Sequence, residues 1–221
     1  MSPLVEFCDV RFAYASSRQF ALDGVSFAVN EGEACALVGP NGCGKSTALR
    51  LLVGLDHPLS GEVRFAGEAI DASALHDVRF SKRLRQRVGL VFQDPDVQLF
   101  CPSVAEEVSF GPRQMGLAPE EVQRRTDDCL RLFDLERLRD RAPWRLSGGE
   151  KRRCAIACVV SLAPDLLCLD EPTNGLDDES RAGMVAFLRS FVAAGKTVLV
   201  ATHDLQLVSE LGARTISLAR R

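Results

Sequence analysis

Hydrophobic positions in the first third of the chain fall into short runs with strand rather than helix character. Residues 5–13 and 22–29 alternate or carry β-branched and aromatic side chains, and Asp23-Gly24 and Asn30-Glu31-Gly32 supply turns around the second run. This predicts an antiparallel edge. Residues 34–38 form an apolar run ending at Gly39, after which the spacing becomes helical, with Ala48, Leu49, Leu52 and Val53 on one face. Ser60-Gly61 turns into a short strand at 62–65, and residues 88–92 form another after the basic segment 82–87. Residues from about 103 to 135 read as a helical insert: Ser103 and Glu106 fit a capping box, and Pro119-Glu120-Glu121 puts proline and acids at a helix start. Residues 166–169, 197–201 and 214–218 are three further strands, separated by helical patterns near 148–162, 179–193 and 204–211. Such alternation predicts a parallel sheet. The fold class is α/β, in a single domain with two lobes and no internal repeat.

Composition narrows the classes. At 221 residues the chain can bury about 70% of its unfolded surface, so it needs no staples. It contains no run of 18 uncharged apolar residues, which predicts a soluble chain with no spanning helix of its own. A net charge of -3, from 30 acidic and 27 basic residues, argues against a general polyanion binder. The basic residues are 23 Arg and only 4 Lys, a bias of GC-rich bacterial coding sequence. Eight cysteines (8, 35, 43, 101, 129, 154, 158 and 168) stand singly, without zinc-ligand spacing, and read as reduced core residues. No secretory leader is visible at the N-terminus, and a reducing, cytosolic compartment follows.

The chemistry begins at Gly39-Pro40-Asn41-Gly42-Cys43-Gly44-Lys45-Ser46-Thr47, which satisfies G-x-x-x-x-G-K-[ST] between a strand and a helix. Glycines let successive N–H groups face inward, and the free donors of the following helix add positive potential, so a polyphosphate fits. Lys45 would reach the β- and γ-phosphates, and the Ser46 hydroxyl would ligate a Mg²⁺ that keeps most of its waters. Leu166-Leu167-Cys168-Leu169-Asp170-Glu171 ends a buried strand in two carboxylates at the edge where α/β sheets bind ligands. Asp170 suits the metal shell through water, and Glu171 suits polarising a water for in-line attack on phosphorus.

Leu146-Ser147-Gly148-Gly149-Glu150-Lys151 before a helix resembles the signature sequence of the ATP-binding cassette (ABC) ATPases. Read locally, Ser147 and Glu150 also form a capping box, and both readings can hold. The resemblance covers residues 14 to 204. It implies a P-loop NTPase core with a mixed sheet, an N-terminal antiparallel β subdomain and an α-helical subdomain carrying the signature. The core would take about 1–93 and 163–221, and the helical subdomain about 94–162.

It also implies that ATP is clamped between the phosphate loop of one subunit and, in trans, Ser147, Gly148, Gly149 and Asp177 of a second cassette, the same or a related chain. Gln93 resembles the residue that contacts metal and attacking water, His203 the switch histidine at the γ-phosphate, and Tyr14 the aromatic that stacks on adenine. Asp178 stands where many relatives have proline, which leaves that loop more flexible.

The segment 92–100 followed by 103–112 is similar to the ATPase subunits of energy-coupling-factor importers and of cobalt and nickel systems. There it would form a groove for a coupling helix of an integral-membrane partner, for which exposed Val97, Leu99 and Phe100 would be suited; the alternative is that Leu99 and Phe100 are core. The chain would sit on the inner face of the bacterial plasma membrane and energise import of cobalt, nickel or a vitamin such as biotin. It ends at Leu218-Ala219-Arg220-Arg221 and so resembles shorter members, among them biotin-uptake ATPases, and is expected to associate weakly without nucleotide. Alternatives are another ABC transporter class, a non-transport ABC ATPase of DNA repair or translation, or a binding-only module. No basic nucleic-acid face favours the second, and Glu171, Gln93 and His203 weigh against the third.

Overall fold

Strand and helix boundaries follow the sequence pattern closely in a computed structural model that describes residues 3–15 and 19–219. Met1 and Ser2, at the start of the segment read as lacking a leader, and Arg220 and Arg221, the last two residues, lie outside the described residues. The chain divides into two compact units, residues 1–90 with 165–221, and residues 91–164.

The first unit contains most of two sheets. β1 (Val5–Phe12), β2 (Leu22–Val29), β4 (Ser60–Phe65) and β5 (Glu68–Ala69) form a sheet in the order β2-β1-β4-β5, all pairs antiparallel. Only one face of such a sheet needs burial, and β1 alternates accordingly, with Val5 and Phe7 inside and Glu6 between them partly exposed. The second sheet has the order β6-β7-β8-β3-β9, from β3 (Ala34–Val38), β6 (Val88–Val91), β7 (Leu166–Asp170), β8 (Thr197–Thr202) and β9 (Arg214–Ser217). β3 runs parallel to both β8 and β9, and β7 parallel to β8. Its central strands are buried along nearly their whole length, which is why they read as unbroken apolar runs rather than alternations. α1 (Lys45–Leu52) contributes Ala48, Leu49, Leu51 and Leu52 to a core shared with Phe7, Val63, Phe65, Leu166 and Leu199.

Two helices between the sheets, α2 (Ala72–His76) and α3 (Val78–Arg87), have no counterpart in the hydrophobic pattern, which marked only a basic segment there. α2 buries nothing, and Asp71 and Asp77 start the two helices by accepting from Ala74 and Arg79 backbone N–H groups.

In the second unit α4 (Val104–Met115) and α5 (Pro119–Leu132) make up the helical insert, starting at the Ser103 cap and at Pro119 as the sequence signals them, and are separated at left-handed Gly116. α6 (Gly148–Val160) packs against both. Pro112 inside α4 has no N–H for the Val108 carbonyl, and the buried Ser161 hydroxyl, just past α6, lies 3.0 Å from that oxygen and 2.8 Å from the Cys158 carbonyl, sharing its proton between them. The first unit is completed by α7 (Asp178–Ala193) and α8 (Leu205–Leu211).

All eight cysteines, each among the described residues, are free. The core assignment fails at Cys8, which is exposed at the bulged middle of β1, and Cys158 is only partly buried. No helix among the described residues is long and apolar enough to cross a membrane.

Candidate functional site

Parallel pairing sets the C-terminal ends of three strands side by side. Asp170 on β7 is level with Ala201 on β8, and Val38 on β3 is level with Thr202. The loop after Val38, the carboxylates ending β7 and Thr202-His203 therefore converge on one edge of the sheet, where open α/β sheets bind ligands.

Two glycines of the loop leave no room for a side chain. A Cβ on Gly39 would lie 2.3 Å from the Leu218 carbonyl oxygen and 2.6 Å from Cys43 Sγ. Gly44, at φ +97°, caps α1 with its own backbone, and a Cβ there would lie 2.3 Å from the Ala21 carbonyl oxygen. Asn41 and Gly42 are exposed at the tip, and Cys43 and Thr47 are buried beneath it. Lys45 opens the helix with only 6% of its surface exposed; its Nζ donates to the Gly39 carbonyl at 2.8 Å and the Pro40 carbonyl at 3.4 Å. The ammonium is thus curled beneath the loop, beside the unpaired N–H groups of the first turn of α1, where a polyphosphate would meet both. Tyr14, half-exposed, has its hydroxyl 3.1 Å from Thr47 Oγ1 and its ring edge-on to Phe12.

The two carboxylates occupy different environments. Asp170 is hydrogen-bonded to Ser46, and burial pushes its carboxyl above the ordinary value. The adjacent Glu171 charge pushes the same way, against the Ser46 bond and the Lys45 cation. A hydroxyl paired with a carboxylate that burial and a like charge both disfavour is a hard-oxygen donor set that a Mg²⁺ ion would suit.

Glu171 is 7% exposed and has φ +46°, a left-handed conformation costing about 1–2 kcal/mol for a residue with a Cβ. The surroundings hold it there: its N–H donates to the Ala201 carbonyl at 2.8 Å, its Oε2 accepts from the Thr202 hydroxyl at 3.0 Å and the His203 N–H at 3.4 Å, and its Oε1 lies 2.9 Å from His203 Nδ1 and 4.0 Å from Lys45 Nζ. The arrangement aims one carboxylate oxygen toward the phosphate-loop cation and fixes the other from behind.

Several residues around this edge carry no motif. Asp204 caps α8 by accepting from Leu207 N–H at 3.0 Å, and its other oxygen accepts from the Thr173 hydroxyl at 2.9 Å and Arg181 Nη2 at 3.1 Å. Arg181 also pairs with Glu210 at 2.6 Å. The capping role of Asp204, immediately before an apolar helix, was readable from sequence; its partners from α7 and the Thr173 loop were not. Asp177 caps α7 by accepting from Ser180 N–H at 2.8 Å and is exposed.

Gln93, Ser147, Gly148 and Gly149 belong to the second unit. Ser147 and Glu150 complete the capping box, Ser147 N–H donating to Glu150 Oε2 at 2.7 Å and Glu150 N–H to Ser147 Oγ at 3.3 Å. Ser147 and Gly148 are exposed. The segment around Gln93 is tied to α6: Arg152 donates to the Gln93 carbonyl at 3.1 Å, Lys151 pairs with Asp96 at 2.6 Å, and Gln98 donates to the Ala155 carbonyl at 2.9 Å. Phe100 is 66% and Val97 69% exposed, so Phe100 is not core, whereas Leu99 is partly buried. Phe100 stacks edge-on against exposed Phe110, and the buried Glu107 carboxylate accepts from the N–H groups of Phe100 and Cys101.

The family model described as ABC transporter matches residues 22–174. The nickel import ATP-binding protein LarO of Lactiplantibacillus plantarum is 47% identical over 207 residues, covering 94% of this chain and 86% of that protein. The energy-coupling factor transporter ATP-binding protein EcfA of Methanothermobacter thermautotrophicus is 40% identical over 215 residues, covering 97% and 68%. Among solved structures, cbiO1 of Clostridium perfringens, part of the ABC transporter complex cbiONQ, superposes with a TM-score of 0.82 at 35% identity, covering 96% of this chain and 82% of that one. A dimeric post-hydrolysis state of the ATP-binding cassette MJ0796 with ADP and phosphate gives 0.87 at 32%, covering 97% and 94%.

Proposed function

Because the chain belongs to the ABC transporter family and is an ATPase of that family, we propose that it is the energising subunit of an importer of the energy-coupling-factor type. ATP is its substrate. In this reading the 1–221 chain is one cassette domain, with the helical subdomain near 94–162 inserted between the two parts of the core. A transition-metal ion is the cargo that the likeness to the nickel import protein favours, with a vitamin as the alternative. The likeness to a part of cbiONQ and to a dimeric cassette supports two kinds of partner, integral-membrane subunits and a second cassette. Such partners would hold the chain at the inner face of the membrane.

The hydrolytic step follows from the buried carboxylate. The Gly39–Thr47 loop and Lys45 bind the β- and γ-phosphates, Lys45 exchanging the carbonyls of Gly39 and Pro40 for phosphate oxygens. Ser46, Asp170 and Gln93 would hold Mg²⁺, which neutralises charge on the phosphates when bound. Glu171 orients a water through Oε1 and accepts its proton as the water oxygen attacks the γ-phosphorus and the bond to the bridging oxygen of ADP breaks. His203, beside the same oxygen, contacts the γ-phosphate, Tyr14 stacks on adenine, and Ser147, Gly148, Gly149 and Asp177 act on the nucleotide of the second cassette.

The observation carrying this reading is that Glu171 is held buried in a left-handed conformation, 4.0 Å from Lys45, by three residues of β8 and its following loop, Ala201, Thr202 and His203. The test is Glu171→Gln. It should bind ATP, form a long-lived dimer in sizing experiments with ATP, and release phosphate at least about 100-fold more slowly than the unaltered chain. Near-normal phosphate release would overturn the assignment of Glu171 as the base.

A further inference from the structure

We infer that Thr202 is a positioning residue for hydrolysis, fixing the orientation of the Glu171 carboxylate so that one oxygen faces the phosphates. The inference rests on the proposed role of Glu171 as the base.

Thr202 ends β8 with none of its surface exposed. Its hydroxyl has two partners, and hydrogen-bond chemistry fixes the direction of each. The backbone N–H of Asp204, 3.0 Å away, can only donate, so it takes a lone pair of Thr202 Oγ1. An ionised Glu171 carboxylate can only accept, so the single hydroxyl proton goes to Glu171 Oε2 at 3.0 Å. Nothing in the pair can be exchanged, and the proton is locked in place.

Oε2 is therefore anchored from the sheet side, with the His203 N–H as a weaker second donor at 3.4 Å. Oε1 is left facing Lys45 Nζ and His203 Nδ1. The terminal torsion of a glutamate is broad, so the direction of its carboxylate depends on the donors around it. Without the Thr202 proton Glu171 would keep the His203 contacts and the more distant Lys45 but lose its shorter donor at Oε2, and the carboxylate would swing about that torsion away from the line of attack, on which proton transfer depends. Nucleotide binding would be untouched, because among the described residues the Thr202 hydroxyl bonds to Glu171 and Asp204 and to no residue of the phosphate loop.

The experiment uses the full chain with two substitutions that separate hydroxyl from packing. Thr202→Val keeps the shape and removes both the proton to Glu171 and the acceptor of the Asp204 N–H; Thr202→Ser keeps both and removes the methyl. Thr202→Val is expected to lower kcat about 10- to 100-fold with KM for ATP and binding of a fluorescent ADP analogue within about twofold of wild type, and Thr202→Ser to restore most of kcat. A kcat for Thr202→Val within twofold of wild type would overturn the inference, as would a Thr202→Ser variant as impaired as the valine, or a loss confined to KM. Should the valine variant fail to fold, Thr202→Ala compared with Thr202→Ser asks the same question with the same outcomes. Wild type and Glu171→Gln are run alongside: loss of hydrolysis in Glu171→Gln with normal turnover in Thr202→Val refutes only the positioning role, whereas normal hydrolysis in Glu171→Gln refutes the base assignment itself.

Discussion

Asp204 offers a test of how much the rear of the site depends on a single side chain. Its carboxylate makes three bonds within the first unit: the cap to Leu207 N–H, the Thr173 hydroxyl and the Arg181 guanidinium. Asp204→Ala removes all three. Losing the helix cap costs about 1 kcal/mol. Thr173, 8% exposed, is left with an unmet hydroxyl for about 1 kcal/mol more. Arg181 keeps Glu210, so its loss is limited to about 1 kcal/mol. The sum, about 3 kcal/mol, corresponds to a fall in Tm of roughly 6–12 °C for a chain of this size. Asp204→Asn retains an acceptor for Leu207 but turns an amide NH₂ toward Arg181 and Thr173, and should lose about two-thirds as much. Thermal melts followed by circular dichroism measure both.

The pH dependence has a definite sign. The carboxyl of Asp204 sits below its ordinary value because the hydrogen bonds from Leu207, Thr173 and Arg181 outweigh burial, which on its own is the largest influence and acts upward. A depressed acid stabilises the fold above its ordinary value and loses that contribution as pH falls through its folded value. The gap between wild type and Asp204→Ala should therefore be full at neutral pH and shrink on acidification below the ordinary aspartate range. An Asp204→Ala melt within 2 °C of wild type, or an asparagine variant as damaged as the alanine, would refute this account.

Two further outcomes are expected. Glu33, held by Arg214 and by Asn30 N–H, has its carboxyl lowered to about 2 by the Arg214 hydrogen bond first, against burial. Because Arg214 is half-exposed, Glu33→Gln should cost only about 1 kcal/mol at neutral pH, and the difference should vanish between about pH 4.5 and 2 in acid-unfolding curves. Gly44→Ala meets the Ala21 carbonyl at 2.3 Å and demands a φ of +97°, so it should lower stability by about 2–4 kcal/mol and abolish binding of a fluorescent ATP analogue; normal binding would show that the loop tolerates a side chain there.

The sequence exposed the parts of this site that are written locally. The phosphate loop, the strand ending in Asp170-Glu171 and the Ser147–Glu150 box each lie within a few consecutive residues, and each has a periodicity or capping rule. The donors that orient Glu171 come instead from the end of β8 and the residue after it, 31 and 32 positions further on, and meet it only because β7 and β8 pair in parallel. The left-handed backbone at Glu171 has no signature either, since the usual marker of such a conformation is glycine. α2 and β5 escaped because neither buries a residue, and hydrophobic spacing reports only elements that do. Phe100 illustrates the converse: its type suggests a core, and its 66% exposure shows an apolar ring standing out from the helical unit.

Pro112 and Ser161 lie 49 positions apart, yet the buried carbonyl of Val108 makes them one choice. Replacing Ser161 while keeping Pro112 would take from that oxygen a hydroxyl it shares with the Cys158 carbonyl, whereas an N–H restored at 112 would make the serine dispensable to it. The effects of changing the two positions are therefore not expected to add, although one is in α4 and the other follows α6.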